Sequence, residues 1–276
     1  MKETKALGFI RQEFDSITDV MEWIGDTADL RYCNSQHETE NDTGCKSWGE
    51  MVRLITHGWT AAASSVSDRL REIEKAQTEK HLEYQWDVEG DFFDVGSVVE
   101  GLPECWMRPT EVTAKRVVRI AVAADYSGSI PVQQIYNRGA AIVALIDTLQ
   151  RDPTNIVELT VGVWSADAGE YKRQEMLVSF GMSPLSIDSI SFALAHPAWL
   201  RRLTFAVLER NYNNRGGRYG APDNMSQEEQ KEYGLYIPAA YAASGLAVFS
   251  TPEGSARWVE EQAARLTTID NPTDPY

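Results

Sequence analysis

Asp125, Ser127 and Ser129 alternate in an Asp-x-Ser-x-Ser order directly after an apolar run, Val117 to Ala124. In an extended segment alternate side chains point the same way, so one carboxylate and two hydroxyls can converge above the end of a strand. Hard oxygen donors of this kind suit Mg2+ or Mn2+, with Ca2+ a further candidate. The same residues also suit a helix N-terminus, with Ser129 as the cap and Asp125 near the positive end. The two readings overlap, because a capping loop can also hold a metal.

A second group spans 201–218. Arg201, Arg202, Arg210, Arg215 and Arg218 stand against one acid, Glu209, and Tyr212 and Tyr219 flank the Arg215-Gly216-Gly217-Arg218 stretch. Arginines interleaved with aromatics can follow single-stranded nucleic acid by phosphate contact and stacking. Arg201, Arg202, Arg215, Arg218 and Tyr219 are the candidate contacts. The competing reading is a solvated helix face and a loop whose arginines pair with the protein's own acids.

Other chemistry is thinly represented. Asp87, Glu89, Asp91 and Asp94 could supply paired carboxylates for acid–base work, and equally a loop surface. His37, His57, His81 and His196 are scattered, and His196 before Pro197 reads as a helix-end residue. There is no GxxxxGK[ST] phosphate loop, no GxGxxG after a strand and no GxSxG elbow. No nucleophile, base and orienting group assemble from spacing, so no catalytic residue is assigned and a non-enzymatic role is expected.

These residues need elements to position them. Val117 to Ala124 reads as a buried parallel strand. A helix opens near Pro131 and carries Ile135, Gly139, Ile142, Ile146 and Leu149 on one face; Val157 to Trp164 is the next strand. Strand, helix, strand makes a βαβ unit. Ser186 can cap a helix reaching His196, Pro197 can open one running to about Asn211, and Ser226 with Glu229 forms a capping box. Gly245 to Ser250 reads as a late strand and Ala256 to Leu266 as a final helix. Upstream, residues 1–30 read as helical from Ile10, Phe14, Ile17, Met21 and Ile24. A polar loop covers 33–47, a short helix runs from Trp48 to the stop at Gly58, and a charged helix covers 61–80. Residues 84–110 look like strand and loop. The division expected is a mainly helical region at 1–110 and an α/β domain at 111–276.

Composition bounds the rest. The chain has 276 residues, 43% of them apolar, enough for a substantial core. Its 41 acids and 26 bases give a net charge of −15, which repels a phosphate backbone overall and argues against a general DNA-coating role. Cys33, Cys45 and Cys105 form no CxxC pair, and their odd number fits reduced thiols. The opening residues, Met1-Lys2-Glu3-Thr4-Lys5, lack a signal peptide's apolar core. No apolar stretch reaches the roughly 20 residues of a membrane span. A cytoplasmic protein without a membrane partner is expected.

The run Ile120 to Ser129, the helix after it and the strand Val157 to Trp164 resemble the start of a von Willebrand factor A-type (VWA) domain, over about 115–265. The resemblance implies a Rossmann-like layered sheet with helices on both faces. It implies a metal site at Asp125, Ser127 and Ser129 holding Mg2+ or Mn2+, completed by a Thr and an Asp from two further loops, and a protein partner. For the second loop the sequence offers Ser183 or Ser186. For the third it has Ser250-Thr251-Pro252-Glu253-Gly254 where Thr-Asp-Gly is the family pattern. The Trp48-Gly49 and Gly58-Trp59 pairs, the Gly101-Leu102-Pro103-Glu104-Cys105 stretch and the His196 to Arg202 run also resemble an uncharacterised family of tailed-bacteriophage proteins. Three roles remain open: a phage-type interaction protein, a transcription or replication factor contacting single-stranded nucleic acid, and an acidic protein that counters host defence.

Overall fold

The computed structural model describes residues 1–27, 30, 43–57, 59, 84–87, 92–93, 106–109, 116–152, 154–168, 171–182, 184–211 and 219–268. The helix expected over 61–80, most of the 33–47 loop and the end of the chain lie outside these. So do Cys33, Cys105, His37, His81, Glu89, Asp91, Asp94, Ser183, Tyr212, Arg215 and Arg218.

The chain opens with a hairpin where a helix was expected. β1 (Lys2–Ala6) and β2 (Phe9–Phe14) pair antiparallel about a two-residue turn with Gly8 at φ 70°, a backbone angle that glycine adopts without steric cost. Among the described residues of 1–30, only α1 (Ile17–Ile24) is helical. It is started by Ser16, whose side chain accepts from Asp19 N–H, and ended at Gly25. The apolar steps from Ile10 to Ile24 therefore cross a strand–helix junction. Ile10, Gln12 and Phe14 point into the core. Gln12 breaks the apolar alternation and tolerates burial because Asn211 Nδ2 donates to its Oε1 at 2.9 Å.

α2 (Trp48–His57) matches its expected span. β3 (Tyr84–Asp87), β4 (Phe92–Phe93) and β5 (Trp106–Pro109) make a three-stranded antiparallel sheet in the order β3-β5-β4. Next come β6 (Arg116–Ala123), α3 (Val132–Gln150) and β7 (Asn155–Ala168), with β6 and β7 parallel from Arg116↔Asn155 to Ala123↔Gly162. β8 (Tyr171–Met182) turns back antiparallel to β7 and takes β2 beside it in parallel. Residues 2–14 thus belong to the same sheet as residues 116–182.

The remainder is α4 (Ile187–Ala195), a π-helical turn at Trp199–Thr204, α5 (Phe205–Asn211), β9 (Ala221–Pro222), α6 (Gln227–Gln230), β10 (Leu235–Ile237) and α7 (Pro252–Thr268). The capping box is present at α6: Ser226 Oγ accepts from Glu229 N–H and Glu229 reaches back to Ser226 N–H. The expected late strand is a 3₁₀ segment, Ala243–Ser250, that buries Leu246 and Phe249. Three-residue spacing fits a helix of three residues per turn, not a strand.

The large sheet runs β1-β2-β8-β7-β6-β10, with β9 also on β7. One face carries Val118, Ile120, Val122, Leu159, Val161, Val163, Met176 and Val178 in a single core with α1 to α5 and α7. The other face is narrow. Ala121, Ala123 and Trp164 pack there with Met225 and Ala239, and Arg11 and Arg173 flank the buried Glu175. Among the described residues this second face is covered by the 219–242 segment, with the four-residue α6, where full helices were expected. Small and charged side chains offer no apolar band for a longer amphipathic helix to bury. No helix among the described residues is long and apolar enough to cross a membrane.

Candidate functional site

β6 and β7 part at the carboxyl end of β6, the edge of an open α/β sheet where ligands bind. The last ladder bond is Ala124 N–H to Gly162 O, at 2.8 Å. Beyond it β9 takes the vacated side of β7, through Ser165↔Pro222 and Ala166↔Ala221. Asp125 lies in the gap. It is 2% exposed, and its Oδ2 accepts from Trp164 N–H, which has lost its neighbouring strand. On the other side, Asp125 O accepts from Ala240 N–H at 3.0 Å and Ser127 N–H donates to Ala240 O at 2.9 Å. The loop is thereby tied to the chain leaving β10.

The two serines behave differently from the carboxylate. Ser127 is half-buried and Ser129 exposed, and their hydroxyl oxygens are 3.0 Å apart. The alternation placed the hydroxyls together, whereas Asp125 turns beneath them toward β7. Ser129 caps nothing: Pro131 holds the N-cap position of α3 and makes no side-chain cap bond.

Burial pushes the Asp125 carboxyl well above its ordinary value. Asp223 adds to the shift, while Trp164 N–H and Arg138 oppose it. Arg138 extends from α3, 2% exposed, and its Nη2 donates to Ala123 O and Pro238 O, both at 2.9 Å. It ties the ends of β6 and β10 together. Arg138 Nη1 and the Tyr126 hydroxyl are both buried without a hydrogen-bond partner among the described residues, and the guanidinium lies 5.8 Å from the Tyr126 ring centroid. Burial lowers the Arg138 value, which Tyr126, Tyr236 and Asp125 partly restore.

A polar chain leads away from Asp125 across the second face. Asp223 Oδ1 accepts from Asn224 N–H, and its Oδ2 pairs with Arg173 at 3.0 Å. Arg173 and Arg11 flank Glu175, and Arg11 also pairs with Glu229. Burial raises Glu229, but Ser226 and Arg11 outweigh it and hold the carboxyl below its usual range. Asn224 Oδ1 accepts from the Tyr236 hydroxyl (3.0 Å) and Ala239 N–H (2.9 Å), and its Nδ2 donates to the Tyr241 hydroxyl (2.8 Å). Burial pushes the Tyr236 phenol up to about 12. Sequence reasoning missed Asp223, Arg173 and Tyr236. Arg138 was visible in principle, as the single charge between Ile135 and Ile146 in a helix mostly buried there.

The metal that the VWA resemblance implies meets only part of its donor set. Two hydroxyls converge, but the carboxylate is enclosed, bonded to a main-chain N–H and biased toward its neutral form. Ser186 opens α4 after β8, whose end Met182 pairs with Glu158 near the start of β7. That is the opposite edge of the sheet from Trp164 and Asp125, so Ser186 cannot complete the site. Thr251 Oγ1 accepts from Gly254 N–H at 3.1 Å and is used in starting α7.

The arginine group is divided. Arg202 is 1% exposed, and its guanidinium donates to Cys45 O (3.0 Å), Cys45 Sγ (3.1 Å) and Thr43 Oγ1 (3.3 Å). Its candidacy as a nucleic-acid contact is corrected: it holds the 43–45 segment against the π-helical turn. Tyr219 stacks on Phe205 at 3.8 Å between centroids and donates its hydroxyl to Glu209. Arg201 is half-buried. His196 is buried, and desolvation lowers it to about 4. Its Nδ1 accepts from Ala198 N–H at 3.0 Å, so it is a neutral helix-end residue.

No curated protein and no solved structure matches the chain. The sequence model of the family described as domain of unknown function DUF7192 matches residues 3–249. With most of its length covered in this way, the chain belongs to the DUF7192 family.

Proposed function

We propose that the chain is a non-enzymatic interaction module of VWA-like design whose partner-facing surface is the loop 125–129. One observation carries this reading. The loop sits on the carboxyl edge of a strand flanked in parallel by β7 and β10, is anchored at both Asp125 and Ser127 to Ala240, and leaves Ser127 and Ser129 to present adjacent hydroxyls. A rigid base with exposed donors suits recognition, because little order has to be gained on binding. The partner is a protein. The arginine group gives the nucleic-acid alternative no comparable support, since Arg202 is already enclosed.

Gly128 provides a test that spares the fold. A Cβ there would meet nothing within 4 Å, and its backbone is not in the left-handed region. Affinity capture from the native host cell, with the bound fraction examined for protein and nucleic acid, should recover a protein that Gly128→Arg and Ser127→Ala/Ser129→Ala both lose. Capture that persists in both variants, or that yields only nucleic acid, would overturn the reading. A parallel titration addresses the ion. A thermal shift with Mg2+ or Mn2+ that Asp125→Asn abolishes would add a metal to the loop, and a flat response would leave the surface metal-free.

A further inference from the structure

β1 and β10 end the large sheet, and no strand lies beyond either among the described residues. They differ in access. Leu235 and Ile237 of β10 are buried, whereas every residue of β1 is exposed. An accessible strand edge is a template for adding another strand. The hairpin bonds fix which groups of β1 are free. Gly8 O accepts from Arg173 N–H, so the even-numbered residues of 8–14 turn their main-chain groups toward β8. Phe9, Arg11 and Glu13 then turn theirs toward β1, where they meet Ala6, Thr4 and Lys2. Glu3 and Lys5 therefore direct their amide and carbonyl groups outward, and their side chains share one face of the sheet.

The order of charges along β1 selects the strand that fits there. A second β1 added antiparallel, with the two-fold axis at Thr4, sets Glu3 opposite Lys5 of the second copy and Lys5 opposite its Glu3. Thr4 faces Thr4 and Lys2 faces Ala6, so no like charges meet. The facing Glu3 and Lys5 residues carry the outward main-chain groups, so each such pair also exchanges both of its main-chain bonds. Sliding the register by two residues either way keeps this bonding but puts Glu3 on Glu3 or Lys5 on Lys5. The Thr4-centred register also brings Met1 near Leu7 of the second copy, and these are 50% and 105% exposed. Contacts within the chain leave capacity for the pairing. Lys5 Nζ meets Glu3 Oε1 at 2.9 Å and Gln12 Nε2 donates to Glu3 Oε2 at 3.1 Å, but an ammonium has about three donors and a carboxylate about four acceptor sites. Across the axis the two in-chain pairs join into one alternating quartet of charges.

We propose that β1 pairs antiparallel with β1 of a second copy of this chain about a two-fold axis at Thr4, giving a reversible homodimer with one continuous sheet. The pairing is isologous, so it uses the accessible edge of both copies and closes at two. Further growth through β10 is blocked by the burial of Leu235 and Ile237. β1 is five residues long, so the contact is small and the dimer depends on concentration. The loop at 125–129 takes no part in it.

Sedimentation velocity tests this on the full chain, tagged only at its carboxyl end and taken to hundreds of micromolar at physiological salt. The weight-average sedimentation coefficient should rise with concentration toward that of a dimer. Lys5→Glu and Glu3→Lys each oppose like charges at both facing pairs, and each should raise the dissociation constant about tenfold or more. The double exchange Glu3→Lys/Lys5→Glu restores the complement and should dimerise as the wild type does. An equimolar mixture of the two single variants should form the heterodimer. Facing residues of a non-bonded pair lie within disulfide range, so Thr4→Cys should cross-link to its own copy under mild oxidation, at residue 4 by peptide mapping. Ser127→Ala/Ser129→Ala should dimerise normally, so the pairing and the loop reading fail separately. A chain that stays monomeric at every concentration, a dimer unmoved by Lys5→Glu, no cross-link at residue 4, or failure of both the double exchange and the mixed variants to recover the dimer would overturn the proposal.

Discussion

A carboxyl group enclosed in protein, with a second acid in its field and one main-chain N–H as its bonded donor, keeps its proton to higher pH than a free one. Asp125 is in that position. Its folded value lies above its unfolded value, so its contribution favours folding at pH below the unfolded value. That contribution is lost as the pH rises from the unfolded value toward the raised folded one. Asp125→Asn keeps an oxygen to accept from Trp164 N–H and removes the titration. Urea denaturation across a pH series should show Asp125→Asn at least as stable as the wild type at neutral pH, without the wild type's decline over that window. Asp125→Leu should cost about 1–3 kcal/mol by orphaning the buried N–H. If Asp125→Asn is instead markedly less stable at neutral pH, the carboxylate is charged in the folded state and has a cationic partner. The sequence conveyed part of this. Alternation in a Ser-x-Ser pair is local and placed two hydroxyls 3.0 Å apart. The inward turn of Asp125 depends on β7 losing its neighbour at Trp164, a matter of register between segments 39 residues apart. Arg202 reads as a surface charge for the same kind of reason, because its acceptors at Thr43 and Cys45 are remote in the chain.

Helices α3 and α4 pack tightly at Gly139, where a Cβ would fall inside the van der Waals envelope of Ala195 and of Leu194 O. The atoms in the way are backbone and Cβ, which cannot swing aside as the tip of a side chain could. Gly139→Ala should therefore lower stability by about 1–3 kcal/mol, the usual cost of overpacking, despite alanine's better helix propensity. Gly128→Ala, facing open space, should stay within about 0.5 kcal/mol of the wild type. Paired thermal melts compare the two, and a neutral Gly139→Ala would mean that the helices can separate freely. At this scale the sequence is most readable where burial is apolar. The strand before Asp125 and β7 follow from their apolar runs, α3 from its apolar face and α4 from Ser186 at its start, and α7 is also legible. β2 and β8 do not, because each turns a glutamine into the core. Gln12 and Gln174 both accept from Asn211 Nδ2, at 2.9 and 3.1 Å, and their polarity interrupts the pattern that marks a strand. Glu175 disguises the other face of β8, since it reads as a surface acid and is 3% exposed between two arginines. β10 has only three residues, too few for alternation to register.

Across the whole molecule, each end of the sheet is formed by a short strand with no further strand beside it among the described residues. At one end that strand is β10. At the other it is β1, which covers β2, and β2 in turn covers the edge of β8. The two strands of that hairpin contribute unequally. Every residue of β1 is exposed, whereas β2 buries Ile10 and Phe14 in the core and places Arg11 on the buried Glu175. A buried acid that loses one of two cationic partners, in a chain of net charge −15, has little else to compensate it. Deleting residues 1–6 should thus cost little, while deleting residues 1–14 removes core side chains, half of an ion cluster and the pairing of β8 together. The longer deletion should lower the melting temperature by about 10 °C or more, or abolish cooperative unfolding. Calorimetry on the two truncations reads this directly. A chain without residues 1–14 that melts at the wild-type temperature would show that the 116–268 part of the sheet sustains itself, and that β2 is an accessory to it.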